Sequence, residues 1–185
     1  MTRHKFPRPA IGAVAILVAA AVAVPALAAA PRNATVNVVG GVKMVPNRSI
    51  TDSMRFKQDV VAVQTGGKLT LRDRTKAPHS FSVVKRGQVP QNIIQMDACF
   101  GKGPCDDLAI EHGAINPDTG EEQDPTTPLV NVGKDGFNAP GDSVLIPPGG
   151  KASVNVSAPA GSTLNMICAI HPWMQNKVKV GKRAG

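Results

Sequence analysis

The chain has 185 residues, with 21 Lys and Arg against 13 Asp and Glu, a formal charge of +8 and only 3% aromatic residues. A basic chain could serve a nucleic acid, but no recognition motif and no interleaving of aromatic with basic residues is present, which argues against that class. With 18 Gly and 16 Pro, and no long helical periodicity after the first thirty residues, the composition points to short strands and turns.

Met1 to Pro9 carry Arg3, Lys5 and Arg8 and no acid, Ile11 to Val24 form a small-residue apolar run, and Ala26-Leu27-Ala28 or Ala28-Ala29-Ala30 offers a cleavage site. This is the layout of a secretory signal peptide, residues 1–30. The alternative is an uncleaved anchor, because Ile11 to Ala30 is nearly long enough to span a bilayer; Pro25 and the small residues favour cleavage. No Cys follows the site to carry a lipid, and no later stretch could cross a membrane. Cleavage leaves residues 31–185 as one domain of charge +5, exported to the periplasm or the extracellular side of the cell envelope.

Nine β-type runs follow: Ala34 to Val39, Val42 to Val45, Val60 to Gln64, Lys68 to Arg72, Ser80 to Lys85, Ser143 to Ile146, Lys151 to Ser157, Thr163 to Cys168 and Lys177 to Val180. Gly66-Gly67 and Pro147-Pro148-Gly149-Gly150 separate neighbouring runs as hairpin turns would. The predicted fold is an all-β, antiparallel Greek-key sandwich of two sheets.

Residues 86–142 interrupt this pattern and read as an insertion of short irregular elements, with a helical turn near Asp106 to His112. Residues 97–124 hold eight acids and one base, Lys102, an asymmetry suited to docking a charged partner. The Asp118 to Asp124 run lacks the spacing of a calcium loop and reads as a solvated acidic loop. His112 has no partner at ligand spacing and is expected to be solvent-exposed. Three cysteines in an exported protein leave one thiol over. Cys99 and Cys105, close together around two Gly and a Pro, are the natural disulfide pair, which leaves Cys168 unpaired.

Cys168 opens Cys168-Ala169-Ile170-His171-Pro172-Trp173-Met174. A thiolate, an imidazole and a thioether at i, i+3 and i+6 fit one turn between two strands. With a second imidazole at His79 they form the donor set of a mononuclear copper site, soft enough for Cu(I) and borderline enough for Cu(II).

These residues resemble the cupredoxins, the small blue copper proteins, and most of all their amicyanin and plastocyanin-like members. The likeness runs over Gly66-Gly67-Lys68-Leu69-Thr70-Leu71, Ala77-Pro78-His79, Ile146-Pro147-Pro148-Gly149-Gly150, Ala158-Pro159-Ala160-Gly161 and the Cys168 loop, roughly residues 56–85 and 143–181. It does not cover residues 86–142. The resemblance implies one type 1 copper cycling between Cu(I) and Cu(II), with His79, Cys168 and His171 in plane and Met174 as axial ligand. Ser80 stands where the family has an Asn that braces the site. Leu164 and Met166 stand at its aromatic positions, and Asn176, which tolerates a left-handed backbone, at a common Gly. Pro172 and Trp173 flank His171, where electrons enter and leave.

The predicted function is an exported, monomeric electron carrier acting between redox partner proteins, not an enzyme. The alternative is an extracytoplasmic copper carrier or storage protein using the same ligands. An oxidase reading lacks His-x-His pairs for further copper ions.

Overall fold

The computed structural model describes residues 29–183; residues 1–28, and with them the charged and apolar parts of the expected signal peptide, lie outside the described residues. Among the described residues no helix is long and apolar enough to cross a membrane. The strands are β1 (Asn33–Val39), β2 (Val42–Val45), β3 (Ser49–Asp52), β4 (Arg55–Phe56), β5 (Val60–Gln64), β6 (Gly67–Asp73), β7 (His79–Val84), β8 (Leu129–Val130), β9 (Ser143–Ile146), β10 (Lys151–Val156), β11 (Thr163–Ile167) and β12 (Gln175–Gly181). Helices α1 (Ile93–Phe100) and α2 (Pro104–Glu111) lie between β7 and β8.

All nine expected strands are present. One sheet has the order β10-β6-β1-β4 and the other β5-β12-β11-β7-β9-β8, while β2 and β3 form a separate pair. Most neighbours are antiparallel, as expected, but β1 runs parallel to β6 and β5 parallel to β12. The two turns read as hairpins are not hairpins. Gly66 leads from β5 in one sheet to β6 in the other, and the turn at 147–150 leads from β9 to β10, again between sheets. Gly66 and Gly149 sit at φ +73 and +67, where glycine is unstrained. Each turn is anchored at one end of the β6–β10 ladder, Gly66 N–H donating to Val156 and Asp73 N–H to Gly150.

Alternation along the strands builds the core between the sheets. Val36, Val38, Leu69, Leu71, Val154 and Val156 from one sheet meet Phe81, Ile146, Met166 and Val178 from the other. Phe81 packs edge-on to Phe56, with ring centroids 5.0 Å apart.

β7 departs from the one-sided pattern, since all six of its residues are buried. Phe81 and Val83 belong to the sandwich core, whereas Val84 belongs to a second cluster with Cys99, Cys105, Leu108, Ile167 and Ala169. An antiparallel sheet normally leaves one face to water; here residues 86–142 cover it. The helical turn expected near Asp106 is α2, opened by Pro104 at its first turn. Helix α1 was not foreseen because Ile93 and Ile94 are exposed and Cys99 is its only buried residue. Its start is capped by the Asn92 side chain, which accepts from the Gln95 N–H at 3.0 Å.

Cys99 and Cys105 form the expected disulfide, joining α1 to the start of α2, and Cys168 is free and buried. Thiol titration of unfolded, unreduced protein should therefore find one thiol per chain, and three after reduction. Finding three before reduction would remove the bridge.

Candidate metal centre

His79 begins β7, and its fully buried ring is oriented by Thr75. The Thr75 hydroxyl donates to the Ala77 carbonyl at 3.2 Å, so its oxygen must accept from His79 Nε2, 2.9 Å away. The Asp73 carboxylate lies 4.0 Å from the same nitrogen and accepts the Thr75 N–H at 2.7 Å. The proton thus sits on Nε2, and the Nδ1 lone pair points away toward the Cys168 loop. Asp73 and Thr75 are positioning residues that motif spacing did not reveal; their signal was a buried acid and a hydroxyl six and four residues ahead of a histidine.

Cys168 to Met174 connects β11 to β12, which are antiparallel neighbours. Two backbone bonds tie the loop to itself: Cys168 N–H donates to Met174 at 3.0 Å and Met174 N–H to His171 at 2.8 Å. Cys168 and Met174 are buried in the sandwich core and His171 is half-buried.

The structure brings His79, Cys168 and His171 together, with one donor atom of each within 4.8 Å of the others. The two Nδ1 atoms are 3.2 Å apart, and Cys168 Sγ is 3.9 Å from His79 Nδ1 and 3.7 Å from His171 Nδ1. A point equidistant from the three lies about 2 Å from each, the length of a first-row metal bond to nitrogen or sulfur. The donor set fits copper in size and in softness.

Electrostatics favour neutral imidazoles at both histidines. Burial, then the neighbouring His171, pushes His79 down to about 4 against the pull of Asp73 and Asp52. Burial also lowers His171, opposed by Asp52. Both rings are therefore neutral at pH 7, with lone pairs free to ligate. Burial raises the Cys168 thiol, partly offset by hydrogen bonds from the Ser80, His171 and Ile170 backbone.

The other expected site residues are placed as follows. Ser80 is buried, its N–H donates to Cys168 Sγ at 3.3 Å, and its oxygen accepts the Ala169 N–H at 2.7 Å. Leu164 and Met166 face the core. Asn176 lies within β12; among the described residues the non-glycine positive φ angles are at Asn47, Lys102 and Asn131, so no left-handed turn is needed there. Trp173 is 42% exposed, donates to the Met54 carbonyl at 3.3 Å and meets the His171 ring edge-on at 5.2 Å. Pro172 is buried, and with Trp173 it walls a groove of about 400 Å³ whose other side is Ile93, Ile94 and Phe100 of α1.

His112 is not solvent-exposed as expected. It is 1% exposed, with Nδ1 2.6 Å from the Thr127 carbonyl and Nε2 2.7 Å from the Ser143 hydroxyl. The overlooked signal is helical: Cys105, Leu108 and His112 share one face of α2 and its end, and that face is the buried one.

No family model and no curated protein matches the chain. Solved structures do. A Cu(I) amicyanin variant is 14% identical, covering 82% of this chain and 84% of its own at a TM-score of 0.39. Reduced auracyanin from the photosynthetic bacterium Roseiflexus castenholzii is 16% identical over 82% of this chain and 98% of its own, TM-score 0.43. A purple cupredoxin from Nitrosopumilus maritimus is 14% identical over 80% and 98%, TM-score 0.40.

Two outcomes follow from the geometry. Thr75→Ala frees the His79 ring to turn and should weaken copper binding about 10- to 100-fold, the usual effect of losing a ligand's hydrogen-bond partner; unchanged affinity in a competition titration would leave Thr75 without this role. His112 supplies a pH dependence. Burial lowers it from 6.5 against the Thr127 bond, so the unfolded chain takes up a proton before the folded one does. Its contribution to stability is complete above about pH 6.5 and falls as the pH drops below that value. Urea unfolding of wild type and His112→Leu from pH 8 to 5 should show a slope lower in the variant by up to about 1.4 kcal/mol per pH unit. Parallel curves would contradict it.

Proposed function

We propose that the protein carries single electrons through one copper ion held by His79, Cys168 and His171, with Met174 as a weak axial donor. The observation that carries this reading is the convergence of two Nδ1 lone pairs and one sulfur within a metal bond of a common point. Copper bound there would supply one-electron exchange between Cu(I) and Cu(II). The protein's part is to fix the donors. Thr75 orients His79, the backbone bonds close the loop around His171, and the Ser80 N–H supports the sulfur.

Four protein donors leave no coordination position for a substrate, which favours electron carriage over catalysis. Electrons would enter and leave at His171. Its half-buried ring lies against exposed Trp173, and apolar surface continues over Ile93, Ile94 and Phe100. That surface suits a redox protein partner met side by side. The predicted leader and the disulfide support function outside the cytoplasm, in the periplasm or beyond the cell.

The visible and EPR spectra of Cu(II)-loaded protein test this. An intense thiolate-to-copper band is expected, absent in Cys168→Ser; a colourless copper protein would favour a carrier or storage role. Met174→Leu should keep the colour and raise the reduction potential, because a donor to Cu(II) has gone. Met174→Gln should lower it, since a harder oxygen favours the oxidised ion. Potentials unchanged in both would make Met174 core packing.

A further inference from the structure

Ser80, Ser82 and Ser143 are fully buried hydroxyls on the outer face of the ligand sheet, and with His112 they form one hydrogen-bonded line. Its links are Ala169 N to Ser80 Oγ at 2.7 Å, Ser80 to Ser82 at 2.9 Å, Ser82 to Ser143 at 2.6 Å and Ser143 to His112 Nε2 at 2.7 Å. His112 Nδ1 closes it on the Thr127 carbonyl at 2.6 Å.

Both ends fix the direction. A carbonyl only accepts, so His112 must donate from Nδ1, and in the neutral ring Nε2 is then an acceptor. Ser143 spends its proton on Nε2, so Ser82 must donate to Ser143 and Ser80 to Ser82. At the other end the Ala169 amide only donates. Every proton in the line is therefore assigned. Ser80 lies beside the Cys168 sulfur, its N–H donating there at 3.3 Å and its oxygen accepting the N–H of the next residue, Ala169, at 2.7 Å, yet the proton of its hydroxyl is directed to Ser82.

We propose that His112 is a positioning residue for the metal centre: by setting the direction of the serine line it turns the Ser80 proton away from the Cys168 sulfur and holds the Ser80 oxygen toward Ala169. The acidic 86–142 segment thereby tunes the sulfur through the serine line. A hydrogen bond to a thiolate withdraws charge from it and weakens its donation to Cu(II), so withholding one keeps the potential low. This rests on the copper reading for its effect on potential, but the line itself does not.

Two readouts separate the proposals. In metal-free protein, Ser82→Ala, whose side chain touches neither Cys168 nor Ala169 in the line, should speed exchange of the Ala169 amide about fivefold through loss of its polarised acceptor. In copper-loaded protein, His112→Leu leaves Ser143 free to donate to Ser82, Ser82 to Ser80 and Ser80 to the sulfur. Cu(I) should then be favoured about tenfold, a rise of about 59 mV for one electron. Ser80→Ala should abolish that rise in the double variant, because the hydroxyl that delivers the bond is gone.

A merely structural His112 would lower the unfolding temperature without moving the potential. Unchanged potential in folded His112→Leu, or a rise that survives in the Ser80→Ala background, overturns the proposal. Unchanged Ala169 exchange in Ser82→Ala overturns it as well. Wild type without a blue band would instead overturn the copper reading, and the exchange experiment would still decide the line.

Discussion

β7 is buried on both faces, and the rest of the structure follows from that constraint. One face presents His79 to Cys168 and His171 and Phe81 to the sandwich core. The other carries two hydroxyls and Val84, which bare solvent would not bury. Buried hydroxyls need partners, because each unsatisfied one costs about 1–3 kcal/mol. Residues 86–142 meet that need: α2 supplies Cys105 and Leu108 to the apolar part of the outer face and His112 to the polar part. The segment that looked like an addition to the sandwich is its third layer.

The donors are held by different parts of the chain, and each hold is local. His79 is oriented by a hydroxyl four residues earlier, and the Cys168 loop by bonds within itself. What joins the two is sheet register, since β7 pairs with β11 immediately before the cysteine. The fold therefore supplies distance while short-range bonds supply orientation. Such preorganisation favours a site whose geometry changes little with charge.

The cluster of His79, Cys168 and His171 was legible in sequence because coordination chemistry restricts residue type and the loop restricts spacing. The strands were legible because alternation with turns is a local signal, as in Val60 to Gln64 and Ser143 to Ile146. Pairing was not. Gly66-Gly67 announces a reversal of chain direction, but only the Gly66 bond to Val156 and the parallel contact of β5 with β12 decide that it changes sheets. His112 was misread for a related reason. An acidic, Gly- and Pro-rich context predicts exposure on average, whereas burial was decided by one face of a single short helix, at whose end His112 meets Ser143 of β9 and through it Ser82 of β7. Ser80-x-Ser82 looks like a solvent face until something covers it.

The disulfide and the charge asymmetry fit the same account. Linking Cys99 to Cys105 joins α1 to the start of α2, and both sulfurs lie in the outer cluster beside Ile167 and Ala169. The pairing therefore stiffens the helices at the point where they press on the strand leading into Cys168. The acids cannot contribute there. Asp97, Asp107, Glu111, Asp118, Glu121, Glu122 and Asp124 are all exposed, where water and salt screen them over about a Debye length, roughly 8 Å at physiological ionic strength. The segment thus divides its work by face: its apolar and neutral polar residues act inward on β7 and β11, and these seven exposed acids are left to act on whatever approaches from solution, while Asp142 is buried and accepts the Asn138 and Ala139 N–H groups.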